Sequence, residues 1–144
     1  MSINGDKELF DYIGYISSKI LPSSNLKNHY VCYLTQLAFV SRFKRMLFDN
    51  DFTRWKLGPV LADVYFEYSL YIAEPVPFET SKTFKLTPDE NAFVIQCVSN
   101  LAEKSVHELS AMCRETSLWQ NTEMKHSIKA VDAMIECVKN PYIF

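Results

Sequence analysis

Between Leu26 and Val40 the chain carries two apolar stripes at once. Leu26, Tyr30, Tyr33, Leu37 and Val40 recur at one helical spacing, and Val31, Leu34 and Ala38 at another. A surface helix needs one stripe, so two imply burial on nearly every side. The segment therefore predicts a central helix around which everything else packs, in a mainly α chain. Its longest apolar stretch, Val31 to Val40, is interrupted by Thr35 and Gln36 and is too short to span a bilayer.

The flanking segments fit that plan. Leu9, Ile13, Ile16 and Ile20 predict a first helix from Asp6, as N-cap, to Ile20, with Pro22 as its stop. Ser23-Ser24-Asn25 supplies a link and the cap of the central helix. Phe48-Asp49-Asn50-Asp51-Phe52 predicts a turn between two short extended pieces. A third helix is expected to start at Gly58-Pro59, with Val60, Leu61, Val64, Tyr65, Tyr68 and Tyr71 facing inward. The stretch from Ala73 to Leu86, with Pro75 and Pro77, has no helical period and predicts an excursion with a short strand near Phe84.

Thr87-Pro88-Asp89-Glu90 combines an N-cap, a proline at the first helical position and a capping-box acid. Phe93, Val94, Cys97, Val98 and Leu101 follow on one face. Ser105 and Glu108 repeat the box and predict a short helix to about Arg114, with Val106, Leu109 and Met112 inside. Met124, Ile128, Val131, Ile135 and Val138 predict a last helix. The expected fold is mainly α (α+β), a compact bundle of about six helices. A small β-hairpin or short sheet near residues 48–55 and 84–86 completes one domain over residues 1–144.

Composition limits the function. Apolar residues make up 48% and charged residues 22%, as in ordinary globular chains, and the length of 144 residues is enough for a core without disulfides or metal. A net charge of −2 opposes broad phosphate-backbone binding, which makes nucleic acid an unexpected partner. Arg42, Lys44, Arg45, Arg54 and Lys56 form the one basic cluster, expected as a solvated helix end and strand edge. The four cysteines, at 32, 97, 113 and 137, form no C-x-x-C pair. With no signal-peptide pattern, free thiols in a reducing cytoplasm are expected.

Catalytic signatures are sparse. Glycines 5, 14 and 58 stand too far apart for a phosphate loop, and no serine lies in a G-x-S-x-G elbow. His29 and Cys32 share a helical face at i, i+3, but no second pair completes a zinc set, and His29 is expected to be partly exposed. A Cys-His pair that meets only in space, through Cys32 or Cys113, keeps an enzyme open as an alternative. Otherwise the expectation is a non-enzyme without metal or cofactor.

Phe52-Thr53-Arg54-Trp55-Lys56-Leu57-Gly58-Pro59-Val60 is the most distinctive run, in a chain with three glycines and six prolines. It predicts a tight corner with Trp55 wedged against the following helix. Further on, Trp119 is expected to close the core and Glu115 to bond the amides of the next turn; the competing role for the pair is a surface that receives a partner.

These residues resemble the Panacea domain family, which includes SocA-type antitoxins and phage-associated GepA-like proteins. The match runs from about Leu9 to Trp119. It includes Tyr33 and Gln36 in a Tyr-x-x-Gln stretch, then Leu47, Phe48, Phe52, Trp55, Gly58, Pro59 and Val60, then Val64 and Tyr65. Leu86, Thr87, Glu90, Ser105, Leu109, Glu115 and Trp119 complete it. Lys27-Asn28-His29-Tyr30 and Arg54 depart from the family pattern. The resemblance implies an antitoxin that binds and neutralises a cognate toxin. In the SocA branch it implies an adaptor that hands its toxin to a ClpXP-type protease, and a phage-encoded regulator is a related alternative. It transfers no catalytic residue. Partner contacts are expected at Tyr68, Tyr71 and Phe78, on exposed aromatics beside the proline-rich excursion.

Overall fold

A computed structural model describes residues 5–71, 74–78 and 86–144. Seven helices, 59% of the described residues, and a small antiparallel sheet form one compact unit among them. In order they are α1 (Asp6–Ser18), α2 (Asn25–Phe43), β1 (Phe52–Arg54), β2 (Pro59–Val60), α3 (Ala62–Glu67), α4 (Pro88–Ala102), α5 (Val106–Glu115), α6 (Ser117–Gln120), β3 (Ser127–Ile128) and α7 (Ala130–Lys139).

The doubly striped segment is the centre. Every residue of α2 from Lys27 to Ser41 is buried, and α1, α4, α5 and α7 all pack on it. Ser24 caps it through a 3.2 Å bond from the Lys27 amide. Both predicted capping boxes form, Thr87 with Glu90 on α4 and Ser105 with Glu108 on α5. The inner face of α4 is the expected one, with Val94, Cys97, Val98 and Leu101 buried.

Three boundaries differ from expectation. Gly5, not Asp6, caps α1; the Asp6 carboxylate instead accepts from the Asp49 and Asn50 amides at 3.0 and 2.9 Å and ties down the turn before β1. Gly58-Pro59 does not open a helix. Pro59 and Val60 form β2, and α3 begins at Ala62 with Leu61 as its N-cap residue. Proline suits either role, because its fixed φ also fits a short edge strand.

The third difference concerns α7. Val131, Ile135 and Val138 share a face, but it is the solvent face, at 60%, 52% and 64% exposure. Ala133 and Cys137 face α2 instead, and the Cys137 thiol lies 3.5 Å from the Leu37 carbonyl oxygen. Small residues let two helix backbones approach closely, and here that approach outweighed burial of the larger aliphatics.

The sheet has the order β2-β1-β3. Thr53 faces Val60 and Arg54 faces Pro59 on one side, and Phe52 faces Ile128 on the other. The second partner of β1 thus comes from residues expected to be helical. Phe84, where a strand was expected, lies outside the described residues, and Leu86 is not in a strand. No described helix is long and apolar enough to cross a membrane.

Candidate functional site

The β1–β2 hairpin gathers most of the distinctive residues, and its two ends differ. At the root, Phe52 is 4% exposed and meets Tyr33 and Phe48 edge-on, with ring centroids 5.5 and 5.7 Å apart. The Tyr33 hydroxyl shares a 2.8 Å hydrogen bond with Thr116 Oγ1, and burial pushes its pKa well above the ordinary tyrosine range. Thr116 Oγ1 also accepts from the Trp119 amide, which makes it the N-cap of α6. Gln36 is a buried clamp. Its Oε1 accepts from the Leu47 and Phe48 amides at 2.7 and 3.0 Å, and its Nε2 donates to the Phe48 carbonyl.

Arg54 points inward from β1. Its Nη1 donates to the Trp119 and Thr122 carbonyls at 2.9 and 2.5 Å, and the guanidinium lies 4.5 Å from the Trp119 ring centroid. Trp119 is accordingly buried and closes the core as expected. Glu115 does not bond the next turn: it is exposed, with no hydrogen bond among the described residues, and Thr116 does the capping.

Gly58 is needed for space and not for left-handed backbone. Its φ is not in the positive range, but a Cβ there would lie 2.3 Å from the Tyr30 ring. Pro59 and Val60 are buried beside it. Trp55 and Gly58 exchange both backbone hydrogen bonds, at 3.1 and 3.2 Å, so Lys56-Leu57 is a two-residue loop.

At this tip the aromatic surface is incomplete. Trp55 is half-buried, edge-on to Tyr65 at 4.8 Å and to Phe66 at 5.8 Å. Trp55 therefore braces α3, as expected, but from the surface. Phe66 and Leu57 are 62% and 58% exposed. Tyr65 leans in turn on the ring of His29, 5.9 Å away. His29 was expected to be partly exposed and is fully buried. Its Nδ1 lies 2.9 Å from the Asn25 carbonyl, and burial pushes its pKa down to about 4, keeping the ring neutral.

The expected partner-facing aromatics are placed differently. Tyr68 stacks on Phe10 at 5.7 Å and donates a short hydrogen bond to Asp11. Phe78 packs edge-on against Phe10 and Tyr68, over Gly14, where a Cβ would come 2.6 Å from its ring. Both rings are engaged internally. Tyr71 is half-buried, with its amide donating to the Tyr68 carbonyl.

All four cysteines are free and buried, and burial pushes each thiol up, Cys97 to about 11. That is opposite to the depression an activated thiolate needs. Among the described residues no cluster of three or more His, Cys, Asp or Glu side chains could hold a metal ion.

No family model, curated protein or solved structure matches the chain. The geometry by itself separates the distinctive residues. Tyr33, Gln36, Phe52, Gly58, Pro59, Val60 and Trp119 are internal. Trp55, Tyr65 and Glu115 reach the surface. Sequence reasoning missed Phe66, Leu57 and Met124 as neighbours of Trp55. Leu57 was the visible signal, an aliphatic residue in a two-residue loop where a small or polar one is usual.

Proposed function

We propose that this chain is an antitoxin-type protein-interaction module that binds and neutralises a cognate toxin. One observation carries the reading: half-buried Trp55 packs on the exposed Phe66 of α3 and is followed by the exposed Leu57, so apolar side chains reach solvent at the tip of a hairpin whose root is locked into the core. Apolar surface held on a rigid support is what a docking site needs, because little order is lost on binding. Tryptophan and its aromatic neighbours are also the residues that most often dominate contact energetics. The resemblance in motif order supplies the class of partner.

Co-expression tests it. The product of the neighbouring gene, toxic alone, is expected to become harmless and to co-purify when this chain is present. A harmless neighbour, or a toxic one that this chain neither rescues nor binds, would remove the reading.

A further inference from the structure

Beside the hairpin tip, Trp55, Lys56, Met124 and Lys125 line an open groove of about 660 Å³. Two of these side chains are apolar, with Met124 44% exposed, and among the described residues the charged ones are both lysines. Neither ammonium has a hydrogen bond or ion pair among the described residues. Glu123, the nearest acid in sequence, turns its carboxylate towards His126 at 3.5 Å. The groove thus pairs an apolar floor with uncompensated positive charge, on a protein whose net charge is −2.

A turn sets the backbone at Lys125, with the His126 amide donating to the Glu123 carbonyl at 3.0 Å. Its φ is 69°, the left-handed conformation that the third position of such a turn takes. Lys44 is the other such residue, and its place is explained by the end of α2, where its ammonium bonds the Ser41 carbonyl at 2.6 Å. Lys125 has no such contact for its side chain. Its amide donates to the Arg54 carbonyl at 2.7 Å, which fixes the turn against β1 and presents the lysine beside Trp55.

We infer that this groove receives an acidic segment of the partner protein, anchored by an apolar side chain against Trp55 and Met124 and by carboxylates on Lys56 and Lys125. The inference rests on the interaction-module reading and adds the chemistry of the partner. Charge complementarity selects this occupant. Nucleic acid and anionic membrane call for a broader basic surface than two lysines on an acidic protein.

Two fluorescein-labelled amphipathic peptides with identical apolar positions, one bearing glutamates and the other lysines, test this by anisotropy against the full chain. The acidic peptide is expected to bind at least about tenfold more tightly, with affinity falling as salt rises. The double variant Lys56→Glu with Lys125→Glu is expected to reverse that preference, and Trp55→Ala to weaken both, each with unchanged circular dichroism. Equal binding of the two peptides, no saturable binding, or a preference unmoved by the double variant would overturn the inference. So would preferential binding to phosphatidylserine vesicles or to single-stranded DNA. A concentration-dependent dimer broken by the double variant would assign the groove to a second copy instead. Co-expression separates the two levels. Rescue by the double variant as complete as by the wild type sinks the groove and leaves neutralisation standing. Failure of the wild type to rescue sinks neutralisation, while the peptide preference is decided on its own.

Discussion

Arg54 and Lys56 are two residues apart on one hairpin, yet the first is bound inward and the second faces open solvent. Arg54 satisfies two carbonyls and covers the Trp119 ring, so the hairpin root behaves as part of the core. Lys56 has no side-chain partner among the described residues and borders a groove with Trp55, Met124 and Lys125. A basic residue in sequence therefore says little until its backbone direction is known. Alternation along an extended strand would put residues two apart on the same face, but β1 ends at Arg54 and the two-residue loop turns Lys56 away from the core. The root is a stability device and the tip a contact surface, and the two should respond differently to substitution.

The largest expected effect lies at the root. Phe52→Ala removes a ring packed between Tyr33 and Phe48 and is expected to cost about 3–5 kcal/mol in urea unfolding. A loss below about 1 kcal/mol would mean that the root is not part of the core.

Next comes pH, through His29 beneath the tip. The folded ring titrates at about 4 and the free residue at 6.5. Between those values the unfolded chain takes up a proton that the folded chain refuses. The His29 share of the stability should therefore be lost as pH drops from about 6.5 towards 4, by a total on the order of 3 kcal/mol, and change no further below. Denaturant midpoints across that window check the sign, and the NMR shift of the His29 ring should not move above about pH 5. A ring titrating near 6.5 would show that water reaches it and that the packing of Tyr65 over His29 is looser than described.

Gln36→Leu keeps the size of the side chain but leaves the Leu47 and Phe48 amides without their acceptor. A loss of about 2 kcal/mol is expected, since each stranded buried amide carries a desolvation penalty. Protease cleavage between α2 and β1 should rise in parallel. Unchanged stability and unchanged cleavage would mean that those amides find water.

The smallest stability effect belongs to the tip. Trp55→Ala is expected to cost only about 1 kcal/mol, because a half-exposed ring removes only part of its apolar area from water and so has less burial to lose. The same substitution should produce the larger loss in partner binding. If it unfolds the protein instead, Trp55 belongs with Phe52 and the division between root and tip disappears.

Much of the scaffold was legible in the chain. The double stripe of α2 and the two capping boxes depend on residues a few positions apart, and local geometry alone decides them. Illegible were the face of α7, the strand identity of Pro59-Val60 and the pairing of β1 with Ser127–Ile128. Each depends on a distant partner. Val131, Ile135 and Val138 form a sound amphipathic stripe, but Ala133 and Cys137 allowed closer contact with α2. At the candidate site, Trp55 could be singled out from its rarity. Met124 and Lys125 could not, because some seventy residues separate them from the hairpin they adjoin.

By itself, then, the order of amino acids determined a mainly helical chain built around α2, with the capped starts of α2, α4 and α5 and its buried thiols, because periodicity and capping act within a few turns of backbone. Only the tertiary structure decided that Arg54 turns inward while Lys56 and Lys125 are left beside Trp55, and that the aliphatic stripe of α7 faces water. Which side of a strand or helix is covered depends on what packs against it, and close packing is a property of surfaces brought together from distant parts of the chain.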